Sequence, residues 1–67
     1  MKKRIRIESV NYITIAHQLD DNRWRVVSSD KHRTDESTCI VLTDKEMVAE
    51  CKYFAKFPSN KITHETV

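Results

Sequence analysis

Three histidines and two cysteines are the side chains best suited to metal or nucleophilic chemistry here, and their spacing argues against both. His17, His32, His64, Cys39 and Cys51 are scattered over 67 residues with no C-x-x-C or H-x-x-x-H pair, the close pairing from which zinc sites are usually built. Cys51 falls between Val48 and Phe54 on the apolar stripe of a predicted helix, which reads as a buried thiol. Cys39 borders a polar stretch and is the expected site of oxidation, with no base near it in sequence. Among the carboxylates, Asp20 and Asp21 have the setting of a turn and Asp35 and Glu36 that of a solvated loop. Glycine is absent, which removes the Gly-dependent phosphate loops of nucleotide-binding enzymes. A chain this short also offers little depth for a pocket of roughly 300 Å³ or more. The sequence therefore predicts no catalytic residue, no metal ligand and no cofactor: a protein that is not an enzyme.

Charge carries more information than catalysis. Residues 1–33 hold a net of +4 and residues 34–67 a net of −2. If the first and third extended segments share a face, Arg4 and Arg6 join Arg23 and Arg25 on the solvent side of a sheet, a footprint suited to phosphates. Basic side chains also line wet sheet faces for solubility, and the overall net charge of +2 is below that of many dedicated nucleic-acid binders. A polar loop carrying Lys31, His32, Arg33, Asp35 and Glu36 is a second candidate contact region. These nine residues, Arg4, Arg6, Arg23, Arg25, Lys31, His32, Arg33, Asp35 and Glu36, form the candidate partner-binding set. The reading favours a protein partner, with the chain acting as an inhibitor, adaptor or regulatory subunit of a larger complex. A nucleic-acid-binding accessory protein is the alternative.

The elements that must position these residues follow from periodicity. Ile5 and Ile7 alternate with Arg4, Arg6 and Glu8, which predicts a strand from Lys3 to Ser9 or Val10. Tyr12 to Ala16 predicts a second, with Ile13 and Ile15 turned to the core. Asp20-Asp21-Asn22 is a hairpin turn, since Asp and Asn bond to nearby amides. Arg23 to Ser28 is the third strand, with Trp24 and Val26 inward. Ser29 to Thr38 contains no apolar residue and reads as a loop, and Cys39 to Leu42 as a short fourth strand or a lead into the helix.

That helix has the clearest local signal in the chain. Thr43 suits the N-cap, Glu46 completes a capping box, and Leu42 with Met47 has the spacing of a hydrophobic staple. Met47, Val48, Cys51, Phe54 and Ala55 make one stripe, and Pro58 ends the helix near Phe57. With no glycine, any turn needing positive φ falls to Asn11, Asn22 or Asn60.

The predicted architecture is α+β: a three- or four-stranded antiparallel sheet in chain order, β-β-β-(β)-α, with one C-terminal helix packed on one face. Residues 1–58 form one domain, and 59–67 a polar, frayed tail. The predicted core is Ile5, Ile7, Ile13, Ile15, Trp24, Val26, Ile40, Leu42, Met47, Val48, Cys51, Phe54 and Ala55, with Phe54→Ala costing about 3–5 kcal/mol if the ring is buried.

Size sets the remaining bounds. Sixty-seven residues lie near the lower limit for a core without staples, so self-association is one way for the chain to gain burial. Met1-Lys2-Lys3-Arg4 begins like an export signal, but Ile5-Arg6-Ile7-Glu8 interrupts the apolar run such a signal needs. No run approaches the roughly 18 apolar residues of a spanning helix, so no membrane role is expected. The two thiols read as reduced, in a cytoplasmic protein.

Overall fold

The computed structural model describes residues 2–33 and 37–66. Its strands are β1 (Lys3–Glu8), β2 (Tyr12–Asp20), β3 (Arg23–Asp30), β4 (Ser37–Thr43) and β5 (Lys61–Thr66), with a single helix α1 (Asp44–Ala55) between β4 and β5. All pairings are antiparallel, in the order β4-β3-β2-β1-β5. The α+β class is as predicted. The strand number is not: five strands form the sheet, and the helix is followed by the fifth.

The short tail after Pro58, predicted to fray, supplies that strand. Lys61 to Thr66 pairs with β1 along its whole length, Ile62 lying opposite Ile7 and His64 opposite Ile5. A sequence with one mid-segment apolar residue has little strand signal of its own; the ladder with β1 and the partial burial of Ile62 against the core hold it in place. The turn into β5 is secured by Asn60, whose Nδ2 donates to the Phe54 carbonyl at 3.1 Å and whose backbone N–H donates to Phe57 O at 3.0 Å.

β4 and β5 run in the same direction at opposite edges, so the chain between them must return along the sheet and cross it. The twelve residues of α1 rise about 18 Å, and this crossing lays one helix over one face. The capping box forms as predicted: Thr43 Oγ1 accepts from Glu46 N at 3.2 Å, and Glu46 Oε1 accepts from Thr43 N at 3.0 Å. A further N–H of the first turn, that of Asp44, donates to Asn22 O in the β2–β3 turn at 2.7 Å. Thr43→Ala is expected to cost about 1 kcal/mol, read as a lower midpoint in urea unfolding with an unchanged slope.

The core lies between α1 and the sheet and consists of Ile5, Ile7, Ala16, Trp24, Val26 and Met47, with Leu42, Cys51, Phe54 and Ile62 packed around it. Five residues of the predicted core lie outside it, and one that was not predicted, Ala16, lies within it. The register of β2 against β1, with Ile5 opposite Ala16 and Ile7 opposite Thr14, puts Ala16 under the helix and turns Ile13 and Ile15 to the other face. Ala16 is 0% exposed; on the middle strand of the sheet, in one buried cluster with Trp24 and Met47, a small residue leaves room for the large ones. Ile40, predicted core, is 53% exposed because β4 is an edge strand. Val48 and Ala55 lie on one flank of the helix and are exposed.

Strand β3 also runs to Asp30 and β4 begins at Ser37, so Ser28, Ser29 and Asp30 pair with Thr14, Ile13 and Tyr12 and the predicted 29–38 loop is shorter at both ends. Among the described residues none adopts a positive φ. The β2–β3 hairpin turns instead with a register shift between Gln18 and Asp20, while Asp20 Oδ1 accepts from Asn22 N at 2.9 Å, a side-chain turn that needs no left-handed residue.

Candidate functional site: the uncovered sheet face

Alternation along each strand sends every second side chain away from α1, and the registers align these side chains in rows. One row is Glu65–Arg4–His17–Arg25–Val41, the next Thr63–Arg6–Ile15–Val27–Cys39, and the third Lys61–Glu8–Ile13–Ser29–Ser37. The sheet thus brings Arg4, Arg6 and Arg25 onto one face, interleaved with an aliphatic centre of Ile13, Ile15 and Val27 that is only half-buried. Val41, 57% exposed, and Cys39 extend that centre to the β4 edge.

Several of the cations are already paired. Arg4 donates to Glu65, Arg23 Nε and Nη2 both donate to Asp20 Oδ2 at 2.9 and 2.7 Å, and Lys31 Nζ lies 3.1 Å from Glu8 Oε2. Arg25 Nε donates to Cys39 Sγ at 3.4 Å. Arg23, although in the same alternation as Arg25, is drawn to the hairpin end by Asp20. His32 and Arg33 are exposed beyond β3, His32 N donating to Asp30 Oδ1 at 2.7 Å. Asp35 and Glu36 lie outside the described residues.

Hydrogen bonding and charge from Lys31, then Arg6 and Lys61, hold the Glu8 carboxyl below the usual range. Arg23 and the Asn22 N–H do the same for Asp20, and Thr43 for Glu46. A carboxyl with a lowered folded-state pKa binds fewer protons folded than unfolded, so its contribution is full above the ordinary carboxylate range and is lost as the pH falls through the lowered value. The melting temperature is expected to be flat from neutral pH down to about pH 5 and to fall below about pH 4, with added salt reducing the drop because all three groups are solvent-accessible.

Burial and the neighbouring Glu50 charge push the Cys51 thiol up, which keeps it protonated and unreactive at neutral pH. Cys39 is exposed. A thiol reagent such as DTNB is expected to modify Cys39 rapidly and Cys51 only on unfolding; equal rates in the folded protein would contradict the structure.

On the helix side, an open groove of about 390 Å³ runs between the start of α1 and the β1–β5 pair, lined by Lys3, Ile5, Trp24, Asp44, Val48 and His64 among others. It is larger than the chain length led one to expect. Two of its polar groups are engaged with each other, Trp24 Nε1 donating to Asp44 Oδ1 at 2.9 Å. Among the described residues no three His, Cys, Asp or Glu side chains form a group that could hold a metal ion, and no helix is long and apolar enough to cross a membrane.

Sequence reasoning missed His17, Ile13, Ile15, Val41 and Cys39 as members of the uncovered face. The signal was present in the strict alternation of β2 and β3, but its sense depends on the pairing register, which one strand alone does not specify. Over its described residues the protein is thus a small α+β domain with a five-stranded antiparallel sheet, one helix and one sheet face that the helix leaves uncovered. No known protein family, curated protein or solved structure matches the chain.

Proposed function

We propose that this is a cytoplasmic, non-enzymatic binding protein that modulates a larger macromolecular complex, as an inhibitor, adaptor or regulatory subunit, by docking its uncovered sheet face on a partner protein. The observation that carries the reading is the chemistry of that face: the aliphatic centre of Ile13, Ile15 and Val27 flanked by Arg4, Arg6 and Arg25. An apolar patch bordered by guanidinium groups fits a protein surface with an apolar centre and carboxylates around it, the arginines setting orientation and the aliphatic centre resisting salt.

The nucleic-acid alternative is weakened by the same rows. Single-stranded binding needs aromatic faces on which bases stack. Among the described residues, the strand aromatics Tyr12 and Trp24 alternate onto the helix side, opposite Asp30 and Leu42. Pairing of Arg4 with Glu65 and of Arg23 with Asp20 also reduces the charge offered to phosphates.

The test is capture from a nuclease-treated native lysate by the tagged chain, comparing the natural sequence with Arg6→Glu/Arg25→Glu and with Ile15→Ser, each checked by circular dichroism. A stoichiometric protein retained by the natural sequence and reduced about tenfold by both variants supports the reading. Recovery that disappears with nuclease, together with binding that weakens log-linearly with salt, would move the assignment to nucleic acid.

A further inference from the structure

We infer that the free edge of β4 pairs antiparallel with β4 of a second copy of this chain, giving a two-fold dimer with one continuous ten-stranded sheet. The inference stands on the sheet edge and its self-complementarity and does not depend on what the uncovered face binds.

A sheet edge presents unpaired N–H and C=O groups, and natural proteins guard it with charge, proline, a bulge or a covering element. The two edges here differ in this respect. β5 carries Lys61, His64 and Glu65 along six residues. β4, Ser-Thr-Cys-Ile-Val-Leu-Thr, has no charged residue and no proline. It pairs with β3 in unbroken register from Ser37 to Thr43, so no bulge turns it away. Its apolar residues Ile40, on the helix side of the sheet, and Val41, on the uncovered face, are both more than half exposed. An unguarded, β-branched edge without a bulge is the surface that accepts another strand.

Self-complementarity selects a second copy as the occupant. With the two-fold axis at Ile40, the midpoint of β4, all seven residues overlap: Ile40 faces Ile40, Cys39 faces Val41, and Thr38 faces Leu42. No charge meets a like charge and no residue is left over. The head-to-tail alternative, β4 against β5, would set the charged edge of one copy on the neutral edge of the next and extend without closure.

Because the axis stands perpendicular to the sheet, both helices lie on one side, and the uncovered face doubles with Val41 and Cys39 of both copies at its centre.

The test uses the full chain. Sedimentation equilibrium across a dilution series is expected to give twice the 7.9 kDa chain mass at high concentration. Ile40→Lys, which places two like charges directly opposite each other at a position exposed in the single chain, should return the mass of one chain with an unchanged circular dichroism spectrum. Directly opposed residues in an antiparallel pair lie about 4.5–5.5 Å apart, within disulfide reach. Ile40→Cys on a Cys39→Ser/Cys51→Ser background should therefore cross-link to a dimer under a mild copper oxidant, whereas Thr63→Cys on the same background should not. Three results would each overturn the proposal: a single-chain mass at every concentration, polymers in place of a closed pair, or a dimer that survives Ile40→Lys and fails to cross-link through Ile40→Cys.

Discussion

Trp24→Ala is expected to leave most of the protein unfolded at 25 °C. The indole is 4% exposed, and truncating a buried Phe or Trp costs about 3–5 kcal/mol. A chain of 67 residues has a total stability of roughly 3–10 kcal/mol. Trp24 also joins the sheet to the helix start, since its Nε1 donates to Asp44 Oδ1 at 2.9 Å, so alanine removes packing and an inter-element hydrogen bond together. Urea unfolding followed by circular dichroism measures the effect, because this is the only tryptophan and the variant has no indole fluorescence. Phe54→Ala should cost less than the sequence reading supposed, since the ring is only half-buried. A larger loss at Phe54 than at Trp24 would show that the core is centred elsewhere.

Ending the chain after Asn60 is expected to abolish cooperative folding. The deletion removes β5, the whole ladder it forms with β1, the contact of Ile62 with the core and the Arg4–Glu65 ion pair. Each lost hydrogen bond is worth about 0.5–1.5 kcal/mol net, and Ile5 and Ile7, buried in the intact protein, would lie beside a bare edge. The sum approaches the full stability of so small a domain. A truncated chain that melts within a few degrees of the intact one would return the tail to the frayed segment that its composition suggests. Ile62→Ala separates the two contributions, since it keeps the ladder and removes only the apolar contact.

The uncovered face and the β4 edge adjoin, because Val41 and Cys39 belong to both. The arginines would set the approach of a partner and the aliphatic residues its grip, while self-pairing of β4 would place two such faces side by side. Linked sites raise avidity without any new contact, so loss of the dimer should weaken partner capture more than its own buried area accounts for.

What the sequence determined by itself was local. The capping box at Thr43 and Glu46, the turn at Asp20 to Asn22, the alternation that buries Ile5, Ile7, Trp24 and Val26, and the α+β class all rest on interactions among residues a few positions apart, or on a period that one segment carries alone. The tertiary structure decided the rest. The face of β2 that is buried depends on its register with β1, because a shift of one residue exchanges Ala16 for Ile15 without changing the pattern. Whether Lys61 to Thr66 is a strand depends on the free edge of β1, 53 or more residues away in the chain. Ile40 is apolar yet exposed because β4 is an edge strand of the sheet. Each of these is a long-range pairing, and such pairings are selected by the free energy of the whole sheet, which no short stretch of sequence contains.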